Sequence, residues 1–504
     1  MDSCVLAIDL GTNGSKALVF RLDGEIIGSG TCEYGMNYPF PGWIEQDPTE
    51  WWTATVKALK DALKSSRIDP KSIEIVGLTG QMSGIVALGE NGEALRPCII
   101  WMDRRATSQA ESLKKKLGEE YLYKITGHRI DPAFFAVKAL WIKEKEPEIF
   151  NRTRAFLMPK DYIRYKLTGF QATDYGDASG SMLLDLRKKD WSQVLLDELK
   201  IPIEKLPLLR SSDEIAGTVS TEASKLTGIP DRTPVVTGSG DAICATLGAG
   251  VAEEGICHDV TGTSTIASVC SDEPIIDPKM RVVTNCYGVE GKWLIEAPSS
   301  TSGALLNWFK NQFAGEELSI SKKTGRDIFD ILSEEASSVK PGSEGLVILP
   351  YFQGERSPVW DPTARGVVVG LTLSHTRNHL IRSIFESTSY LLEHLVETIE
   401  DLGIRVNEVR ATGGGSKSRF WLQTKADVTG RTIRSLKVGE TSLMGAMILA
   451  ACAIKRYKNT KEALENIVQV EESFEPDNRL RDVYSENFSI YKILYQRTKD
   501  IRFG

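Results

Sequence analysis

The sequence predicts an α/β protein of two domains, and three observations carry that prediction. Strand-like segments closed by Asp-Gly or Asn-Gly turns (Leu22-Asp23-Gly24-Glu25, Glu90-Asn91-Gly92-Glu93, Val289-Glu290-Gly291-Lys292) alternate with helical segments along the chain. At 504 residues and 41% hydrophobic content, the chain exceeds the size at which one core keeps growing. A glycine-rich turn near the start has a partner of similar composition near the middle.

The first turn, Asp9-Leu10-Gly11-Thr12-Asn13-Gly14-Ser15-Lys16, lies between the apolar runs Val5-Leu6-Ala7-Ile8 and Ala17-Leu18-Val19-Phe20 and reads as a tight connection between two strands. It has the makings of a phosphate cradle. Glycines let main-chain N–H groups approach an anion, Thr12, Asn13, Ser15 and Lys16 add donors and a charge, and an acid at a strand end can hold a magnesium ion through water. A helix opens at Asp47-Pro48, cap followed by proline, and runs through Trp51, Trp52, Val56, Leu59 and Leu63. The strand Ile75-Val76-Gly77-Leu78 leads into Gly80-Gln81-Met82-Ser83-Gly84. The strand Pro234-Val235-Val236 leads into Thr237-Gly238-Ser239-Gly240-Asp241-Ala242. For Asp241 the residues alone leave two readings open, a general base and a helix N-cap.

No low-complexity linker occurs, and the expected boundary falls near Gly248-Ala249-Gly250-Val251, giving domains 1–248 and 249–504. Just beyond it, Asp259-Val260-Thr261-Gly262-Thr263-Ser264-Thr265 repeats the pattern of the first turn. A ligand held by both turns would lie between the domains. A long helix spans about Thr376 to Leu402, with Leu380, Ile384, Ser387, Leu391, Leu395 and Ile399 on one stripe. The strand Val409-Arg410-Ala411-Thr412 runs into Gly413-Gly414-Gly415, with Ser418 opening the next helix. The apolar run Leu443 to Ile454 is about half the length a bilayer requires and reads as a close-packed buried helix.

Net charge is -7, with Lys and Arg (61) interspersed among Asp and Glu (68), which leaves no basic field for nucleic acid or an anionic membrane. The eight cysteines are scattered without Cys-x-x-Cys spacing, and no signal peptide is seen, so the expected setting is a reducing cytoplasm. His375 and His379 are four apart, but no nearby acid or Cys completes a metal site, and capping or core packing is the expected role.

These residues resemble those of the FGGY carbohydrate kinases, sugar and polyol kinases built from two actin-like (ribonuclease H-like) ATPase domains with the active site in the cleft between them. The resemblance runs from Val5 to about Ala451. Its most specific element is Gly366-x-Val368-x-Gly370-Leu371 followed, seven residues on, by His379-Leu380-x-x-Ser383-Ile384-Phe385-Glu386; Gly354-Glu355-Arg356-Ser357-Pro358 is also family-like. Phe156 to Tyr162, Leu167-Thr168-Gly169, Thr173-Asp174, Asp177 to Gly180 and Trp191-Ser192 look like the xylulokinase branch.

The resemblance implies ATP and magnesium as the companions of the reaction, a small sugar or polyol as acceptor, D-xylulose foremost, and allows a homodimer. It makes Asp241 the general base, in contact with the sugar, and Asp9, with Asp241, the residue that positions the metal. Gly11, Thr12, Asn13 and Lys16 would face the β- and γ-phosphates, and Thr263 would grip the phosphates from the other domain. Gly414, Gly415 and Ser418 match the adenosine motif, and Gly303 and Asn307 match other nucleotide-side positions. Gln81, Met82, Ser83, Trp101 and Asp103 match sugar-side positions. Xylulokinases usually read Gln-Met-His-Gly where this chain has Ser83. In the N-terminal signature Phe135 replaces a small residue and Ala139 a larger apolar one, while Lys138 and Trp141 are kept. These departures are expected to touch the acceptor rather than phosphoryl transfer, which keeps other ketoses, polyols or sugar acids as rival substrates. An actin-like nucleotide-binding protein without sugar chemistry is the more distant rival.

Overall fold

The structure, a computed structural model, describes residues 3–501. Its N-terminal part opens with an antiparallel meander, β1 (Cys4–Leu10), β2 (Gly14–Arg21) and β3 (Ile26–Glu33). Every residue of β1 except Asp9 is buried, as expected of a central strand covered on both faces. The helix α1 (Pro48–Ser66) follows, and the Asp47 carboxylate accepts the Thr49 N–H at its start, as the cap-proline pair predicts. β4 (Ile73–Gly80) then pairs parallel to β1. After a helical insertion the chain returns through β5 (Ile215–Thr218), β6 (Pro234–Val236) and the short β7 (Ser239–Gly240), which leads directly into α2 (Asp241–Gly248). The sheet order is β5-β6-β4-β1-β2-β3, with β7 alongside β4.

A second seven-stranded sheet repeats the arrangement. β8 (Gly255–Thr261) and β9 (Thr265–Ser271) form a hairpin, and β10 (Val283–Cys286) and β11 (Trp293–Pro298) extend it on one side. The helices α3 (Gly303–Phe313) and α4 (Arg377–Glu400) precede β12 (Val406–Thr412), which pairs parallel to β8. Next come α5 (Arg419–Thr429), β13 (Thr432–Leu436), α6 (Thr441–Ala453) and β14 (Val470–Phe474), for a strand order β10-β11-β9-β8-β12-β13-β14. Each sheet thus holds a hairpin whose first strand has a parallel neighbour, and each glycine-rich turn joins such a hairpin.

Two helices join the halves. α2 and α6 bury Ile243, Leu247, Leu443, Met447 and Ile448 in one cluster with Val5, Ala7, Phe20 and Ile75 of the first sheet and Cys270 and Leu294 of the second. They cross with backbone against backbone: a Cβ on Gly445 would collide with the Cys244 carbonyl oxygen, and one on Gly248 with that of Thr441. The apolar run at Leu443 is therefore the buried helix expected of it.

His375 and His379 take up capping. The Thr372 N–H donates to His375 Nδ1 (2.9 Å), and the Thr376 N–H donates to His379 Nδ1 (3.1 Å) at the start of α4. Among the described residues no group of three or more His, Cys, Asp or Glu could hold a metal ion, and no helix is long and apolar enough to cross a membrane. None of the eight cysteines, all among the described residues, forms a disulfide.

The crossing makes a direct prediction. Gly445→Ala forces backbone apart where no flexible side chain can yield, and is expected to cost about 3 kcal/mol in urea unfolding. Gly439→Ala, where nothing lies within 4 Å of the added methyl, should change stability by less than about 0.5 kcal/mol.

Candidate active site

Strand pairing brings the chemistry-bearing residues to one edge of the first sheet. Asp9 on β1 stands level with Thr79 on β4, and Ser239 and Gly240 on β7 stand level with Thr79 and Gly80. The segments that leave the ends of these three parallel strands carry Asp9, then Gln81, Met82 and Ser83, then Asp241. Ligands of open α/β sheets gather at such strand ends.

Asp9 Oδ2 accepts a hydrogen bond from Ser442 Oγ (2.7 Å), while Oδ1 is buried without a protein partner. Burial pushes the Asp9 carboxyl above the usual range. The Ser442 hydroxyl and Lys16 pull it back, and Glu440 adds to the rise. Asp241 is the first residue of α2, with Gly240 in the cap position, so the N-cap reading of Asp241 gives way. Its Oδ1 accepts the Ala242 N–H (2.8 Å). Burial first, then the Asp9 charge, push its carboxyl up to about 7, against the pull of that N–H. Two carboxylates, one raised by the charge of the other and that other keeping a buried oxygen unpartnered, form a donor set that fits a hydrated divalent cation.

The first turn is braced from behind. The Gly11 N–H donates to Gly14 O (3.0 Å), Tyr34 Oη donates to Gly11 O, and Gln46 Nε2 donates to Thr12 O (2.7 Å). Asn13 is exposed. Lys16, expected to face phosphates, pairs in this structure with Glu440, Nζ to Oε1 at 2.5 Å.

The second turn is built differently. Thr263 is exposed, and its carbonyl accepts the N–H groups of Ser302 and Ala304 (3.0 Å each), which docks the start of α3 beneath it. A Cβ on Gly303 would strike the Gly262 carbonyl. Asn307, exposed on α3, donates to Gly303 O (3.2 Å) and accepts from Lys310 (2.9 Å). Gly414 is exposed with open space around it, and Gly415 packs on Thr261. Ser418 caps α5 through the Trp421 N–H (3.2 Å).

The likeness of the two turns stops at their acids. Asp259 lies three residues before its turn glycine and Asp9 two, so in strands of period two they point to opposite faces. Asp259 is buried against Lys425 (2.5 Å) and Thr261 Oγ1 (2.6 Å), a closed ion pair. Only the Asp9 side of the pattern leaves a carboxylate oxygen free.

Among the residues expected at the sugar, Ser83 has φ +60°, and its carbonyl accepts from the buried Lys138 Nζ (2.8 Å), whose pKa burial pushes down to about 7. Trp101 is 43% exposed, and its Nε1 donates to Thr12 Oγ1 (3.0 Å), joining it to the first glycine-rich turn. Met82 is half-buried beside Gly240. Two residues expected at the sugar are engaged within the protein. Gln81 is buried, its Nε2 donates to Gln46 Oε1 (2.9 Å), and its own Oε1 is left without a partner. Asp103 is buried and spent on Arg105 (2.8 Å) and the Ile44 N–H (2.5 Å), the Arg105 guanidinium lying 4.0 Å from the Trp43 ring. Phe135 packs edge-on against Phe156 in the core and Ala139 is fully buried, so these departures do not line the site. Gln46 is the residue that sequence reasoning missed: it ties Gln81, Trp51 and Thr12 together, and its only signal is its place just before the Asp47 cap.

Comparison with known proteins agrees with this geometry. The N-terminal domain description of the FGGY family of carbohydrate kinases matches residues 4–248, and its C-terminal domain description matches residues 259–454. The xylulose kinase of Bacillus subtilis is 31% identical over 99% of this chain and 97% of its own. Crystal structures of ligand-bound xylulose kinase and of gluconate kinase from Lactobacillus acidophilus each superpose with a TM-score of 0.91, at 26% identity over 99% of both chains. The chain belongs to the FGGY family of carbohydrate kinases and is an ATP-dependent sugar kinase.

Proposed function

We propose that this kinase transfers the γ-phosphoryl group of ATP to a hydroxyl of D-xylulose, giving D-xylulose 5-phosphate, with Asp241 as the general base. The observation that carries the reading is the setting of Asp241: a half-buried carboxylate at the start of a helix, next in sequence to the Gly240 that packs on Met82, with its pKa pushed up to about 7 by burial and the Asp9 charge. Such a group takes a proton from an attacking hydroxyl readily near neutral pH. Gly11, Thr12, Asn13 and Lys16 hold the β- and γ-phosphates and Thr263 holds them from the other side, so that residues 1–248 and 249–504 act as two domains closing on ATP. Gly303, Asn307, Gly414, Gly415 and Ser418 cradle the nucleoside. A magnesium ion held through water by Asp9 and Asp241 would supply positive charge against the triphosphate. Trp101 offers a ring face, and Met82 and Ser83 form the wall against which the ketose lies.

D-xylulose is favoured by full-length similarity to a xylulose kinase. Ser83 favours a second reading, another acceptor such as gluconate, because the family histidine at this position is absent and a gluconate kinase shares the fold equally well. ADP release with magnesium-ATP across D-xylulose, L-xylulose, D-ribulose, L-ribulose, erythritol, glycerol and gluconate separates them. D-xylulose should rank first, and a different first acceptor transfers the assignment to it. In the same assay Asp241→Asn should lose about 10²–10⁴ in kcat while still binding ATP.

The raised Asp241 pKa also has a thermodynamic consequence. The unfolded chain releases this proton near the ordinary value of 3.8, the folded chain near 7. The stability that the group contributes is therefore complete below about pH 4, declines as pH rises to 7 and is absent above. Asp241→Asn carries no such cost, so it should melt about 2 °C above the parent protein at pH 8, with the gap closing toward pH 4 in melting curves.

A further inference from the structure

The turn that opens α6 reaches back to the first phosphate turn. Ser442 Oγ donates to Asp9 Oδ2 across 433 residues of sequence, and Glu440, two residues earlier, pairs with Lys16. The two contacts differ in kind. The Lys16 and Glu440 side chains are 32% and 45% exposed, and such a pair is weak and readily exchanged for a phosphate. Asp9 is half-buried, and the other oxygen of its carboxylate, Oδ1, is buried with no partner.

Ser442 is also rigidly placed. Three residues further along α6, Gly445 lies against the Cys244 carbonyl of α2, the helix that begins with Asp241. The orientation of Asp9 is thereby referred to the same backbone contact that locates Asp241.

We propose that Ser442 is the positioning residue of the cation site: by holding Oδ2 it fixes the plane of the Asp9 carboxylate and leaves Oδ1 as the free acceptor for the ion's water shell. The inference rests on the reading of Asp9 as the residue that holds magnesium. Hydrogen bonds to carboxylates at metal sites typically govern affinity by 10-fold or more when lost.

The test measures nucleotide binding by calorimetry on the full chain without sugar, with ATP in EDTA and with ATP at rising magnesium chloride. Ser442→Ala should need about tenfold more magnesium for half-maximal tightening of ATP binding. Its affinity for ATP in EDTA should stay within about twofold, since the nucleotide contacts are untouched, and Ser442→Thr, which restores the hydroxyl, should restore the magnesium response. Should Ser442→Ala not fold, Ser442→Cys, close in size and a weak donor, is expected to show the same defect. A magnesium response equal to the parent's, or an equal loss in EDTA, overturns the assignment. Asp9→Asn measured alongside separates the two levels: a changed magnesium response there with an unchanged one in Ser442→Ala removes Ser442 alone, and no change in either variant removes the Asp9 reading as well.

Discussion

Two half-buried carboxylates, Asp9 and Asp241, are the constraint on which the site depends. Burial raises both Asp9 and Asp241, the Asp9 charge raises Asp241 further, and the one cation that acts on Asp9 among the described residues, Lys16, is paired with Glu440. Leaving such a pair uncompensated costs stability, and it survives because three parallel strands and two crossing helices over-determine the backbone around it. The same frustration makes the site receptive, since a cation or a proton leaving a hydroxyl relieves it. The other turn shows the alternative outcome. There Lys425 neutralises Asp259 completely, and the acid becomes part of the scaffold.

Features governed by neighbours in sequence were legible from the residues. Asp47 before Pro48, Thr376 before the long apolar stripe and the two glycine-rich turns have local causes in capping and turn chemistry, and the structure has helices and hairpins at those places. Asp241 was legible as a functional candidate because a glycine-rich turn after a buried strand leaves an acid with few structural uses.

The remainder depended on contacts that no local pattern encodes. The offset of Asp259 by one residue reverses its face, and the partner that this face meets, Lys425, lies 166 residues away in sequence. Asp103 has the residue type of a sugar ligand, yet Arg105, two positions on, takes both of its oxygens, stacked beside a tryptophan from another segment. Gln81, expected in the pocket, gives its amide N–H to Gln46, 35 residues away, and keeps its Oε1 unpartnered. Polar side chains of this kind can serve a ligand or a neighbour, and only tertiary geometry decides which.

The placement of α6 carries a further meaning for how the chain acquires its structure. Val5, Ala7 and Ile75 of the first sheet are covered by a helix near the far end of the polypeptide. During ribosomal synthesis at about 5–20 residues per second, the strands that frame the catalytic edge emerge tens of seconds before the helix that covers them. The first sheet therefore spends that interval with one apolar face open, a state in which chaperone capture competes with aggregation.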